Sequence, residues 1–294
     1  MYVNSARFYL CRIKKMFPER IPERKHVLLH TIFPVTTRST MALSKNQIKL
    51  IHSLELKKYR KAEGLFLAEG PKLVGDLLGH FPCRLLLATS SWLERHPYPH
   101  PAEEVVEVTD DELRRASLLK APQQVLALFA LPPEETLPSL PPQALSLALD
   151  GVQDPGNLGT ILRLADWFGI ERVFCSPDTA DVYNPKCVQA TMGALARVKV
   201  CYTSLPDLIR RTPSVPVYGT LLDGDNLYQQ PLTPHGVIVM GNEGNGLSAE
   251  VRALVNRKLY IPNFPAGRET SESLNVAIAT AIVCAEFRRQ AAAE

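Results

Sequence analysis

The chain has 294 residues, 46% of them hydrophobic and 21% charged, and a formal charge of +3. This predicts an ordinary soluble protein of one or two domains, and no apolar run approaches the ~18–20 residues of a membrane span. The charge is uneven: residues 1–40 carry a net +6 and the remainder −3, so a polyanion could be met only by local patches. The six cysteines (Cys11, Cys83, Cys175, Cys187, Cys201 and Cys284) show no C-x-x-C spacing. They predict reduced thiols in a cytoplasmic protein and no metal site.

Residues 1–40 are basic, broken by Pro18, Pro22 and Pro34, and lack sustained periodicity. They fit a basic disordered arm, a targeting peptide or sequence upstream of a start at Met41. The foldable chain is expected to begin directly after Met41. Ser44 is placed as the N-cap of a helix lined by Ile48, Ile51, Leu54 and Leu56. Lys57, Lys58, Arg60 and Lys61 then surround Tyr59. This cluster is either a solvated helix end or a phosphate-contacting patch with a stacking ring; Lys57, Lys58, Arg60 and Lys61 are its candidate contacts. Strands are predicted at residues 64–70, 84–88, 105–108 and 125–131, with helices between them. His96 and His100 fall in a proline-rich loop with no third ligand nearby. The alternation describes a small α/β module over residues 41–131. Residues 132–142 hold five prolines in eleven positions and read as a semi-rigid linker.

The second module, residues 143–294, opens with an apolar strand at Leu145–Leu149. The turn-rich loop Asp150–Asn157 leads into a helix ending at Gly169, and Arg172–Cys175 is the next strand. This βαβ unit implies a parallel sheet. On the helix, at ~3.6 residues per turn, Leu158, Ile161, Leu162 and Ala165 share one face. Arg163 falls opposite, with Trp167 a turn further on the same side. Arg163 is therefore a surface arginine or a group beside the ligand-binding edge of the sheet. A helix is predicted from Pro185 through Arg197, and strands at 198–200 and 217–221, the latter turning at Asp223-Gly224. Gly236–Met240 is a buried strand, and Gly241–Leu247 follows with three glycines in six residues. It matches no common nucleotide fingerprint.

The last stretch, Ile261 to Phe287, is a strand end, an irregular loop and a helix. Capping is expected from Ser271 to Ser273, with an apolar stripe at Leu274, Ile278, Ala281, Ile282 and Ala285. The stripe is rich in Ala, so another backbone can approach closely. Ser273 and Asn275 are unusual polar groups on its first turn, a place suited to an anion or polar ligand.

Three stretches stand together in order: Asp150-Gly-Val-Gln-Asp-Pro-Gly-Asn-Leu-Gly-Thr-Ile-Leu-Arg163, Gly241-Asn-Glu-Gly-Asn-Gly-Leu247, and Ile261-Pro262 leading to Ser273-Leu-Asn-Val-Ala277. They resemble the three motifs of the SpoU family of RNA 2′-O-ribose methyltransferases, in the SPOUT superfamily. The first module is similar to the L30e-like RNA-binding module often fused ahead of it. The resemblance implies an α/β fold whose C-terminal parallel-sheet domain is threaded into a trefoil knot. It implies S-adenosylmethionine as cofactor, surrounded by Thr220, Leu221, Gly241, Ile261 and Leu274, and a catalytic set of Asn157, Arg163, Glu243, Ser273 and Asn275. It further implies a homodimer acting on structured RNA, ribosomal RNA ahead of transfer RNA. A non-catalytic RNA-binding protein that kept the fold is the alternative. The run from Asn263 to Ser271 is longer than in the family, so no role is carried into it.

Overall fold

The computed structural model describes residues 37–39, 43–96, 102–135, 137–265, 268 and 273–292. The N-terminal module is built from β1 (Thr37–Ser39), α1 (Lys45–Ser53), α2 (Lys57–Glu63), β2 (Leu65–Glu69), α3 (Pro71–Leu77), β3 (Cys83–Ala88), α4 (Ser90–Arg95), β4 (Ala102–Glu107), α5 (Asp110–Ala116) and β5 (Val125–Ala130). Its five strands are ordered β1-β4-β3-β5-β2, with β5 antiparallel to both β2 and β3. Ser44 caps α1 as expected: its hydroxyl accepts from the Gln47 N–H at 3.2 Å while the Gln47 side chain accepts from the Ser44 N–H at 3.0 Å, a reciprocal capping box. One expectation fails here. β1 precedes Met41 and pairs in parallel with β4, Thr37 opposite Glu104. An open strand edge presents unpaired backbone groups, and three extended residues suffice to cover part of it. Residues 1–36, Met41, His100 and Ser271 lie outside the described residues.

The second module comprises β6 (Leu145–Asp150), α6 (Pro155–Trp167), β7 (Arg172–Cys175), α7 (Pro185–Thr191), β8 (Lys199–Tyr202), α8 (Leu205–Arg210), β9 (Val217–Asn226), β10 (Gly236–Gly241), α9 (Ala249–Leu254), β11 (Arg257–Tyr260) and α10 (Val276–Ala291). Its six strands are ordered β11-β9-β10-β6-β7-β8, and every pairing is parallel. Alternation along the central strands feeds two cores. Leu145, Leu147 and Leu149 of β6 and Ile238 and Met240 of β10 pack with α6 and α10. Ala148, Val237 and Val239 point the other way, against α8 and α9. Helices thus cover both faces of a parallel sheet.

Four local expectations change. β9 does not turn at Asp223-Gly224 but continues to Asn226, because a register shift lets Asp225 and Asn226 pair with Leu259 and Tyr260. The helix from Pro185 stops at Thr191, where Met192 takes a left-handed φ of 51°, and a 3-10 turn at Ala194–Ala196 follows. The proline-rich linker is fastened down: Leu140 is buried and Glu135 meets Lys199, Arg172 and the Cys201 thiol. Finally, α10 starts at Val276, later than predicted. Its buried residues include Val276, Ala277, Thr280, Val283, Cys284 and Phe287, whereas Leu274 and Ile278 of the expected stripe are 47% and 54% exposed.

The two modules share one core. Phe66, Leu86 and Phe129 from the first sheet belong to the same apolar cluster as Leu147, Ile161 and Val283. The Phe66 and Tyr183 rings meet across the junction, with centroids 4.9 Å apart.

Candidate active site

The first motif loop follows the C-terminal end of β6. Asp154 caps α6, its carboxylate accepting from the Asn157 N–H at 2.8 Å, and Pro155 fills the first helical position, where its missing N–H costs nothing. Leu158, Ile161, Leu162 and Ala165 are buried, so the predicted apolar face is the real one. Arg163 is exposed on the opposite side, and Trp167 beyond it is 84% exposed. Arg163 makes no hydrogen bond or ion pair with another described residue.

The second motif loop is a tied structure. Asn242 and Gly246 exchange two backbone hydrogen bonds of 2.9 Å. The Asn242 carboxamide donates to the Gly151 carbonyl at 2.7 Å and accepts from the N–H groups of Gly244 and Asn245. Asp150 accepts from the Ser248 N–H at 2.7 Å. Gly241 is required by close approach: a Cβ there would lie 2.4 Å from the Gly246 carbonyl carbon. Sequence patterning does not single out Asn242 or Asp150 as organisers of the loop. An Asn followed closely by glycine is nevertheless a turn signal that bonds its own loop, and that signal is present.

The third motif joins the other two through side chains. Asn275 caps α10, further along the chain than the expected Ser273: its carboxamide oxygen accepts from Ala277 and Ile278 at 3.0 and 3.2 Å. Its NH2 donates to the Asn157 oxygen at 3.0 Å, and the Asn157 NH2 donates to Glu243 Oε1 at 2.6 Å. The result is one directional chain from a helix N-terminus through two carboxamides to a carboxylate. Each link polarises the next, and the direction fixes both amide orientations.

Beside this chain lies a cleft of about 870 Å³ bounded by the ends of β9, β10 and β11 and the start of α10. Thr220, Leu221, Gly241, Ile261 and Leu274, the five positions expected around a cofactor, all line it, together with Glu243 and Ser273. Asn157 and Asn275 reach it through Glu243, while Arg163 stands outside its lining.

In the N-terminal module, Lys57, Lys58 and Lys61 are exposed, with the Lys58 ammonium 4.8 Å from the centre of the Tyr59 ring. Arg60, expected with them as an RNA contact, turns inward instead. It is 2% exposed, and its guanidinium is filled by Asp181 and by the carbonyls of Leu54 and Glu55. Four of its five N–H donors are thus used inside the protein.

Residues 144–285 match the SpoU rRNA Methylase family, and residues 45–127 match the MRM3-like substrate binding domain. The chain is 31% identical over 254 residues to the 23S rRNA (guanosine(2553)-2′-O)-methyltransferase RlmP of Bacillus subtilis, covering 83% of this chain and 97% of that one. The chain belongs to the SpoU rRNA methylase family. Among solved structures, a TrmH-family protein from Porphyromonas gingivalis is 47% identical with a TM-score of 0.76, spanning 85% of this chain and all of that one. An AdoMet-bound rRNA methyltransferase from Sinorhizobium meliloti is 30% identical with a TM-score of 0.74, spanning 86% and 98%. The cleft of this SpoU protein suits S-adenosylmethionine. Its volume is in the range of small-molecule sites, Leu221, Leu247 and Ile261 supply apolar walls, and the glycine-rich loop brings backbone to its edge.

Proposed function

We propose that this SpoU-family enzyme methylates a ribose 2′-hydroxyl of ribosomal RNA, working as a homodimer. The observation that carries the reading is the side-chain chain Asn275–Asn157–Glu243, which joins all three motifs at the cleft. When bound, S-adenosylmethionine supplies the electrophilic methyl group. Thr220, Leu221, Gly241, Ile261 and Leu274 would hold it. The protein's own task is to place the ribose and stabilise negative charge on its oxygen. Arg163 stays protonated at any physiological pH, so it acts by charge, holding the oxygen and an adjacent phosphate. Its lack of a partner among the described residues leaves the guanidinium for substrate. Asn157 and Asn275 fix the Glu243 carboxylate, and Ser273 adds a hydroxyl at the same rim. Trp167, Leu274 and Ile278, exposed on or beside the packed helices α6 and α10, support the second subunit. Five buried free thiols among the described residues support a reducing, cytoplasmic setting.

The test is transfer of labelled methyl from S-adenosylmethionine to ribosomal RNA lacking its native methylation, with transfer RNA in parallel, and mapping of 2′-O-methyl positions. Incorporation at a defined rRNA ribose is expected. Cofactor binding by calorimetry with no transfer to either RNA would overturn the reading.

A further inference from the structure

Arg60 and Asp181 sit 121 positions apart and form a largely buried ion pair across the two modules. The Arg60 Nε and Nη2 donate to one carboxylate oxygen at 3.2 and 2.6 Å, and Nη1 donates to Leu54 and Glu55 carbonyls at 2.7 and 2.8 Å. Asp181 is 16% exposed, and its other oxygen accepts from the Tyr183 N–H at 3.1 Å. α2 is therefore two-sided: Arg60 turns into the molecule while Lys57, Lys58 and Lys61 turn out.

Asp181 lies in the segment after β7, at the sheet edge that carries the first motif. That segment is bonded to the motif itself. Ala180 donates its N–H to the Val152 carbonyl at 2.8 Å, Gly151 donates to Ser176 Oγ at 2.8 Å, and Thr179 donates to the Leu149 carbonyl at 3.0 Å. Tyr202 Oη, from β8, accepts from the Val182 N–H at 2.8 Å and donates to the Ala180 carbonyl. Val152 is two residues before the Asp154 cap and five before Asn157. A short chain of bonds thus runs from the lysine-bearing helix to the reactive loop.

Other contacts at the junction press the modules together. Phe66 packs on Tyr183, and Gly193, at φ 93°, admits Asp76 where a Cβ would lie 2.2 Å from its carboxylate. Apolar contacts tolerate sliding. A buried ion pair does not, because any displacement leaves desolvated charge without a partner.

We infer that Arg60 and Asp181 are positioning residues: their pair sets the exposed lysines of α2 at a fixed distance and angle from the ribose site, so that bound RNA arrives in register. The inference rests on the proposal that the chain methylates RNA. Arg60 touches neither RNA nor cofactor and acts through the segment around Asp181.

The test compares Arg60→Met, Asp181→Asn and the double variant with the wild type. S-adenosylmethionine affinity is read by calorimetry, KM and kcat are read on ribosomal RNA, and amide exchange is read over 57–63 and 176–184. In Arg60→Met, KM for RNA should rise about tenfold or more, with kcat at saturating RNA and cofactor affinity held within about threefold. Asp181→Asn should move the same way by less, and the double variant should be no worse than Arg60→Met, since both remove one interaction. Exchange should quicken in both segments. A folded Arg60→Met with unchanged KM, or additive effects in the double variant, would overturn the inference. Should Arg60→Met fail to fold, Asp181→Asn decides by the same KM-against-kcat split. If the wild type transfers no methyl to RNA, the functional proposal falls, and the exchange data judge the latch alone: unaltered protection in both segments removes it.

Discussion

Arg60 on α2 and Arg163 on α6 look alike in the sequence. Each lies in a helix, and each is a candidate to meet phosphate. The fold treats them in opposite ways. Arg60 is enclosed, with donors occupied by a carboxylate and two carbonyls. Arg163 is exposed and forms no hydrogen bond or ion pair with a described residue. A charge with its partners inside the protein holds structure together; a charge without them is available to a ligand. The two helices therefore predict opposite consequences for mutation, the first in architecture and the second in chemistry.

The sharpest break of this contrast is Arg163→Ala. It should lower methyl transfer by about a hundred- to a thousandfold while leaving the unfolding midpoint and cofactor titration as in wild type. Undiminished turnover would remove Arg163 from the reaction. Asn275 sits between the two cases, since it both caps α10 and holds Asn157. Asn275→Ala should cost about 1 kcal/mol of stability and lower kcat by about ten- to a hundredfold. Asn275→Asp separates the roles: a carboxylate still accepts from Ala277 and Ile278 but cannot donate to Asn157. Thermal unfolding should then stay near wild type while turnover still falls. Turnover equal to that of the wild type in this variant would show that the side-chain chain is not needed.

The smallest effect is expected at Glu135, an engaged charge near the surface. Its carboxyl is held well below its ordinary value of 4.5, at about 2, first by the Lys199 hydrogen bond and then by the Cys201 thiol and Arg172. The folded-state value is depressed, so the stabilisation is present above pH ~4.5 and is lost as pH falls toward 2. Glu135→Gln should therefore destabilise by no more than about 1 kcal/mol at pH 7. Denaturant midpoints of variant and wild type should converge as pH approaches 2. A constant difference across that range would show that the Glu135 charge contributes nothing.

Most strands and helices are legible in the sequence because their periodicity is local. The α6 face is an example, since Leu158, Ile161, Leu162 and Ala165 contrast cleanly with Arg163. The α10 face is not legible for the converse reason: the helix is apolar nearly all round, so spacing offers two stripes and no means of choosing. Packing on α6 and β10 decides for Val276, Thr280, Val283 and Phe287. The burial of Arg60 is not legible because it depends on Asp181, far along the chain, and nothing within the Lys-Lys-Tyr-Arg-Lys run separates one arginine from three lysines. The proposed catalytic positions are reached through resemblance of three motifs. Their joining through Asn275 and Asn157 is a tertiary fact that spacing alone does not contain.

The shared apolar cluster has a consequence for evolution and for engineering. A recognition unit on a loose tether can be exchanged for another, and a new target acquired by fusion. Here Phe66 and Phe129 lie in the same core as Leu147 and Ile161. A foreign unit would have to reproduce that buried surface, the counter-charge to Asp181 and the fit at Gly193 all at once. On the proposed function, new targets are thus more accessible through changes on the outward lysine face of α2 than by transplanting the whole unit, and either half made alone would present a sticky face to the cell.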